Sequence, residues 1–581
     1  MIKQPKQNPK RNITKTLVIY LGGAWVFIEA FNFLVDRYNL DAVFLDTIIL
    51  LIIFGLPASI IYAWFGQRFT RKAIILHSFN LVIAIGVISY DLINPDSMHP
   101  TQIRLLNFKS NQKQIAESIQ SIAILPFSNH TGDSEKEFLS AGIHDALISE
   151  LGQVGSIRVI SRTSTLLYAN SDKTIQQIAT ELNVDAIIEG SLLLADEIIR
   201  VQIKLINAFP DELQLWTQTY DASLDDLLNV YGKMTQNIAK EVNITLTPEE
   251  ERRLKKSRIV DPDAYEAYLK GKFSMGLLSQ EGIQAAMGYF NQAIEIDPDF
   301  APAYGGLGGV WAFLKQMDFV SADDANPHIF TNLNKAFELD STLAEVYYWN
   351  AIKEVWTDYD WERGEKSFLK SLELNPNFSE CRALYSHLLM CTYRWDESKD
   401  QMLKALKNDP NNPFIKVLYL VQLMTLEEYD SVIVKAISLQ KNMPTNPLVN
   451  LVLILSYSNT EQYDLAVEQV KLKVELEADT SMSVYIEDLY KEKGFKEAMN
   501  EIAKTLESLE GIFVSAQTFQ ILYAMAENTD KFLNWIERGY IRRDPDMPYI
   551  GVITYTSTFR EEPRFQEILT RMRLNTSGNN Q

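Results

Sequence analysis

Residues Ser371–Leu388 read SLELNPNFSECRALYSHL, and Ala405–Leu420 read ALKNDPNNPFIKVLYL. Each closes one amphipathic stretch, turns at an Asn-Pro or Asp-Pro pair and opens another apolar stretch. Pro376, Pro410 and Pro444 recur at one constant interval. That interval is about 34 residues, the length of a tetratricopeptide unit. An earlier copy, AIEIDPDFAPAYGGLG at Ala293–Gly308, carries Pro298. Asp340-Ser341 fits between, close to one interval before Asn375-Pro376. It stands further than that from Pro298, so one repeat carries about nine extra residues on this period, within Lys315–Pro327.

Such a period, with small residues where paired helices cross, is the tetratricopeptide pattern. Counting back from each proline puts Ala286, Phe290 and Ala293 at the crossing, then Gly364, Phe368 and Ser371, then Ser398, Met402 and Ala405. Four or five repeats are regular. The pattern blurs after Lys441, where Tyr457 and Ala466, then Gly494-Phe495 and Ala498, suggest two more. Unrelated helices would not sustain this spacing. The expectation is an all-α tetratricopeptide solenoid over 258–510 with a helical repeat cap over 511–573 and a disordered tail at 574–581. Stacked pairs share one core and leave a concave surface, a groove suited to an extended peptide or a partner helix. Trp311, Tyr347, Trp349, Trp356, Tyr359, Trp361, Tyr393 and Trp395 concentrate here. Most are expected between helices, with one or two lining the groove.

Upstream, 119–257 reads as an α/β domain. Ser121–Phe127 is a short apolar run, Asn129–Ser134 is turn chemistry, and Phe138, Ile143, Leu147 and Leu151 form a helical stripe. Asp185–Leu194, Ile198–Asn207 and Leu213–Tyr220 read as strands joined by two hairpin turns, before a closing helix at Leu224–Ile244. The strand-loop-helix at 119–151 has the layout of a phosphate site, but a cradle needs several glycines and usually a Lys. Gly132 and Gly142 stand ten apart with no Lys-Ser/Thr. Gly132-Asp133 is therefore read as a turn and helix cap. His77, His99, His130, His144, His328 and His387 include no metal-ligand spacing. His144-Asp145 reads as a solvated or half-buried pair. No catalytic, cofactor or metal residues are assigned, and no enzyme is expected.

The run SIAILPFSN…GD…EFLSAGIHDALISEL…IRVISRTS, followed by ELNVDAIIEGSL…IRVQIKLINA…LQLWTQTYD, resembles the periplasmic TolB-amino-terminal-like domain. The residues that carry it include Ile124-Leu125-Pro126-Phe127, Gly142, Arg162-Thr163-Ser164, Glu189-Gly190-Ser191, Trp216 and Tyr220-Asp221. Asp358-Tyr359-Asp360-Trp361 and Trp535–Tyr540 in the repeats resemble the same bacterial group, in which the domain stands beside tetratricopeptide repeats. The resemblance implies an interaction role. It also includes membrane-anchored transcription regulators and proteins labelled adenylate cyclases, whose effector domain stands ahead of the first span. This chain has only Met1–Thr16 there.

Three apolar stretches open the chain, at Leu17–Val35, Thr47–Phe65 and Ala73–Ile93. About 20 residues suffice to cross a bilayer as a helix. The expectation is three transmembrane helices within 17–93, after a cytoplasmic leader at 1–16 and before a linker at 94–118. Lys3, Lys6, Lys10, Arg11 and Lys15 put the leader inside, which would place the later domains in the periplasm beyond the inner membrane. Glu29 and Asn32, and His77, Ser78 and Asn80, are the polar exceptions.

Charge narrows the partners. Residues 1–112 carry a net +5, 113–257 a net −8 and 258–581 a net −17. Nucleic acid needs a basic face, so the expected partner is an unidentified protein or peptide in the repeat groove. Cys381 and Cys391, about 15 Å apart if on one helix, read as two separate buried thiols. The reading is a membrane-anchored interaction scaffold in envelope sensing or assembly. The alternative is a signalling regulator that lacks its own effector and acts through a partner.

Overall fold

A computed structural model describes residues 118–574 apart from short breaks at 132, 134–135, 196–197, 224–225, 256–259, 276–279, 317–318, 442, 445, 479–481 and 510–513. Before residue 118 it describes 71–93 and parts of 16–28 and 51–61. The chain divides into two compact units, Met1–Gln112 and Lys113–Gln581.

In the first unit, helix α1 spans Arg71–Ile93. The expected transmembrane architecture is corrected here. Among the described residues no helix is long and apolar enough to cross a membrane. In α1 the apolar run is broken by His77, Ser78 and Asn80, and a span needs about 20 predominantly apolar residues. Most of Leu17–Val35, with Glu29 and Asn32, and about half of Thr47–Phe65 lie outside the described residues. Inner-membrane placement with periplasmic domains is not supported.

The second unit starts with a mixed sheet. Its strands are β1 (Ser121–Ile124), β2 (Ser128–Asn129), β3 (Arg158–Val159), β4 (Ala186–Ala195), β5 (Ile198–Asn207) and β6 (Leu213–Ala222). The order is β3-β1-β4-β5-β6, with β2 also on β4. β1 runs parallel to β3 and β4, and β4-β5-β6 is an antiparallel meander. Helices α2 (Glu137–Gly152), α3 (Ile175–Leu182), α4 (Leu227–Glu241) and α5 (Pro248–Leu254) complete this part. Alternation along β1 explains the layering: Ile122 and Ile124 face α2 and α4, while Ala123 faces α3. Capping boxes at Thr174 and Thr247 start α3 and α5.

Eight antiparallel helix pairs follow: α6 Pro262–Met275 with α7 Gln280–Ile296; α8 Ala301–Gln316 with α9 Ala322–Leu339; α10 Ala344–Trp356 with α11 Trp361–Leu374; α12 Ser379–Cys391 with α13 Trp395–Asn408; α14 Pro413–Thr425 with α15 Tyr429–Gln440; α16 Pro447–Asn459 with α17 Tyr463–Ala478; α18 Ser483–Lys493 with α19 Phe495–Glu507; and α20 Ala516–Met525 with α21 Thr529–Arg542. Helix α22, Pro563–Arg571, ends the series. This is a tetratricopeptide-like solenoid, and its last pair falls within 511–573. Ala286, Phe290, Ala293, Phe368, Ser371, Ser398, Met402 and Ala405 are all fully buried at the crossings. A Cβ on Gly364 would lie 2.4 Å from Val355 Cγ2, which is why α10 and α11 need glycine there. The extra residues of the second pair lengthen α8 and α9 to 16 and 18 residues.

The turn inside each regular pair has its own signature. Tyr359, Tyr393, Glu427 and Glu461 have φ of 55°, 63°, 62° and 59°, and they recur once per repeat at the same place. None is glycine, so each turn carries left-handed backbone strain.

Two contacts close the array on itself. The segment 543–574 returns across the third and fourth pairs: Trp361 Nε1 donates to Met572 O at 2.7 Å, and Tyr393 Oη donates to Gly551 O at 3.2 Å. The sheet part sits on the turns between pairs. Asn377 Nδ2 donates to Gly152 O at 3.1 Å and Ile157 O at 3.0 Å, and its Oδ1 accepts from Val159 N at 3.0 Å. One turn later, Asn411 N donates to Ser164 Oγ at 2.8 Å, Ser164 Oγ donates to Asp409, and Arg158 Nη1 donates to Lys407 O at 3.0 Å.

Candidate functional site

These contacts enclose a cavity of about 1200 Å³ on the inner side of the repeats. Its walls are α2 and the 159–163 segment from the sheet part, the first helices of the early pairs, and Pro545, Asp546 and Tyr549 from the returning C-terminal segment. Such a volume at a junction between structural parts is the usual setting of a binding site.

The lining is mainly apolar and aromatic. Tyr265, Tyr268, Phe290 and Phe300 stand near the sheet part, and Tyr348, Trp349, Trp356, Phe378 and Phe414 follow along the repeats. Of the eight aromatic residues singled out in the sequence, Trp349 and Trp356 reach this cavity. The others serve packing: Trp311 stacks on His328 with ring centres 4.1 Å apart, and Tyr359 stacks on Tyr540 beneath the Arg543 guanidinium.

A charged cluster interrupts the apolar wall. Asp145 on α2 lies 3.2 Å from Lys272 Nζ on α6 and 4.0 Å from Arg162 Nε. Burial pushes the Asp145 carboxyl up, but Lys272 and then Arg162 outweigh it and hold it below its ordinary value. Asp145 in turn holds the Lys272 ammonium protonated well above the ordinary lysine range, against its burial, and Glu345 acts in the same direction. Further along, Asn412 Nδ2 donates to Glu380 Oε1 at 2.9 Å and Asp409 Oδ2 at 2.7 Å. Desolvation and the neighbouring Asp409 charge raise the Glu380 carboxyl, and desolvation also raises Asp409.

The histidines do other work. His144 is buried, not a solvated partner of Asp145: its Nε2 donates to Ile124 O at 2.8 Å. His387 Nε2 donates to Leu418 O at 3.0 Å, which leaves Nδ1 to accept from Tyr549 Oη at 3.0 Å. Burial lowers both rings to about 4, so they are neutral at pH 7. Cys381 and Cys391 are separate, buried and free, and burial pushes both thiols up, Cys381 to about 12. Thiols so raised are poor nucleophiles. Among the described residues no group of three His, Cys, Asp or Glu could hold a metal ion.

The phosphate-cradle layout resolves into packing. Gly132 lies outside the described residues. The turn is tied by Asn129 Oδ1, which accepts from Thr131 N at 3.0 Å, and by Thr131 Oγ1, which donates to Asp133 O at 3.1 Å. Gly142 lets α2 approach α6, where a Cβ would fall 2.8 Å from Leu269 Cδ2. Sequence reasoning missed Asn377, Asp409 and Lys272. Asn377 and Asp409 look like any turn residue beside a proline. Lys272 stands far along the chain from Asp145, with nothing in the spacing to join them.

Comparison with known proteins adds the following. Residues 118–239 match the HilA/YgeH-like transcriptional regulator, second domain, rather than the TolB-like family expected for this region. A protein of Rhizobium meliloti (strain 1021) named "Putative adenylate cyclase 3" is 28% identical over 241 residues, 41% of this chain and 40% of that one. The chain thus spans about 40% of the length of that curated relative. Among solved structures, Pseudomonas aeruginosa pilF is 19% identical over 40% of this chain and 99% of its own, with TM-score 0.27. YrrB, described as a TPR protein with an unusual peptide-binding site, is 16% identical over 34% of this chain and 97% of its own, with TM-score 0.22.

Proposed function

We propose that this chain is a non-enzymatic interaction scaffold that holds a segment of a partner protein in the cavity between its sheet part and its repeats. The observation that carries the reading is the cavity itself: about 1200 Å³, largely apolar, on the inner side of a tetratricopeptide-like solenoid. On this reading 258–510 is the binding array, 511–573 its cap, and 119–257 the part that completes the wall.

The test is a photo-crosslinking amino acid at Ile352, in the cavity wall, with Val434 as the exposed control. A product specific to position 352, lost in Trp349→Glu, is expected. Equal labelling from both positions would sink the reading.

A second reading is a signalling regulator that acts through a partner. It is favoured by the regulator domain matching 118–239 and by the curated relative's name. Loss of the gene with an unchanged transcript profile would remove it. Cyclic nucleotide formed from ATP by the purified chain would overturn the non-enzymatic reading.

A further inference from the structure

We infer that the cavity takes an extended peptide whose apolar side chains flank a lysine or arginine, with that cation seated against Glu345 and Glu380. This rests on the cavity being a peptide site and adds the chemistry of its occupant.

Glu345 is the second residue of α10, and Glu380 is the second residue of α12. The same place is Pro302 in α8, Phe414 in α14 and Leu448 in α16. All five line the cavity. One repeat position therefore runs along the groove as a ladder, reading Pro, Glu, Glu, Phe, Leu. Helices pack about 8–10 Å apart, and an extended chain in the polyproline II form advances about 3.1 Å per residue and repeats its side-chain direction every third residue. A peptide lying along the ladder would thus present a side chain to each rung about every third residue. It would meet two acidic rungs flanked by apolar ones.

Seven carboxylates line the cavity against three cations, Arg162, Arg253 and Lys272. Those cations are engaged within the protein. Asp145 takes Lys272 and Arg162, Lys272 also acts at longer range on Glu345 and Glu380, and Arg253 Nη1 donates to Glu373 O at 3.5 Å. The surplus is negative, and an incoming cation answers it. An acidic peptide would meet like charge at both central rungs.

The structural alternative is that Glu345 and Glu380 only complement the positive ends of their helices. A carboxylate in that role alone is favoured in its charged form. At Glu380 the helix-end backbone N–H, Asn412 and Lys272 all lower the carboxyl, yet desolvation and Asp409 raise it overall, so the helix end alone does not account for its setting. A cation arriving at Glu380 favours its ionised form, so binding should release a proton and tighten as pH rises.

The test uses the full chain and three fluorescein-labelled dodecapeptides of Leu, Phe and Ala with Lys, Gln or Glu at the sixth place. The Lys peptide is expected to bind at least tenfold tighter than the Gln peptide, and the Glu peptide weaker than both. E345Q/E380Q should bring the Lys peptide down to the Gln peptide. Calorimetry in buffers of different ionisation enthalpy should show proton release for the Lys peptide alone. Equal binding of all three peptides, or preference for Glu, overturns the inference while leaving a peptide site. Binding by none overturns the peptide reading as well. If E345Q/E380Q fails to fold, proton release by the unaltered chain decides: none with the Lys peptide at pH 7 rejects the inference.

Discussion

Tyr549 Oη donates to His387 Nδ1 across 3.0 Å, joining two distant parts of the chain. The first belongs to the returning C-terminal segment and the second to the core of α12, so this bond joins those of Trp361 and Tyr393 in holding that segment on the array. Y549F should leave a buried ring nitrogen without a donor, at a cost of about 1–3 kcal/mol. Denaturant unfolding measures this, and an unchanged midpoint would contradict the assigned tautomer.

The same histidine makes stability depend on pH. Burial lowers His387 and His144 to about 4 in the folded chain, against 6.5 when exposed. Between those values the unfolded chain binds more protons, so stability is fully present above pH 6.5 and falls as pH drops toward 4. Each ring contributes on the order of 3 kcal/mol across that window. Glu380 opposes them, because a carboxyl raised on folding favours the folded chain at the acid end. The acid loss of stability measured by urea unfolding should become shallower in H387Q. A slope identical to the unaltered chain would reject this assignment.

Asn377 should be the costliest single residue of the contact between sheet and repeats. N377A removes one acceptor from Val159 N and the donor to Gly152 O and Ile157 O. The expected loss is about 2–4 kcal/mol, with faster amide exchange at 152–159 while β4–β6 stays protected. Uniform exchange across the sheet would show that this contact does not hold it.

The left-handed turns should be improvable. Glu427 and Glu461 are exposed at φ of 62° and 59°. Glycine relieves strain of about 1–2 kcal/mol there but loses about 0.5–1 kcal/mol to chain entropy. E427G and E461G should each stabilise by up to about 1 kcal/mol on that balance, read as a raised denaturation midpoint. Tyr359 should not follow: its ring stacks on Tyr540 and under Arg543, so Y359G should destabilise.

The repeats were legible because each one meets the same constraint. Ser371, Ser398 and Ala405 sit where backbones cross, and only a small side chain fits, so the requirement recurs in the chain at a fixed interval. The order of the sheet elements was readable for a similar reason, since alternation in Ile198–Asn207 and the stripe in α2 depend on near neighbours. Membrane spans were over-read because stretches of about 20 mostly apolar residues were given more weight than the polar breaks at His77, Ser78 and Asn80, and among the described residues no helix is long and apolar enough to cross. The cavity was hidden for the opposite reason: Asp145, Lys272, Glu380 and Tyr549 each look ordinary in their own stretch, and only the superhelix brings them to one place.

The non-local contacts change how the array should respond to a lost unit. In an open row of repeats, deleting one shortens the row and leaves its neighbours much as they were. Here Trp361 and Tyr393 receive Met572 and Gly551 from the far end, while Asn377 and Asp409 receive the sheet part from the near end. The row is in effect a ring with two clasps. Removing a repeat between Tyr393 and Gly551 would put the far clasp out of phase, and removing one between the sheet and Asn377 would do the same to the near clasp, so the number of repeats on each side is itself a fixed dimension of the molecule.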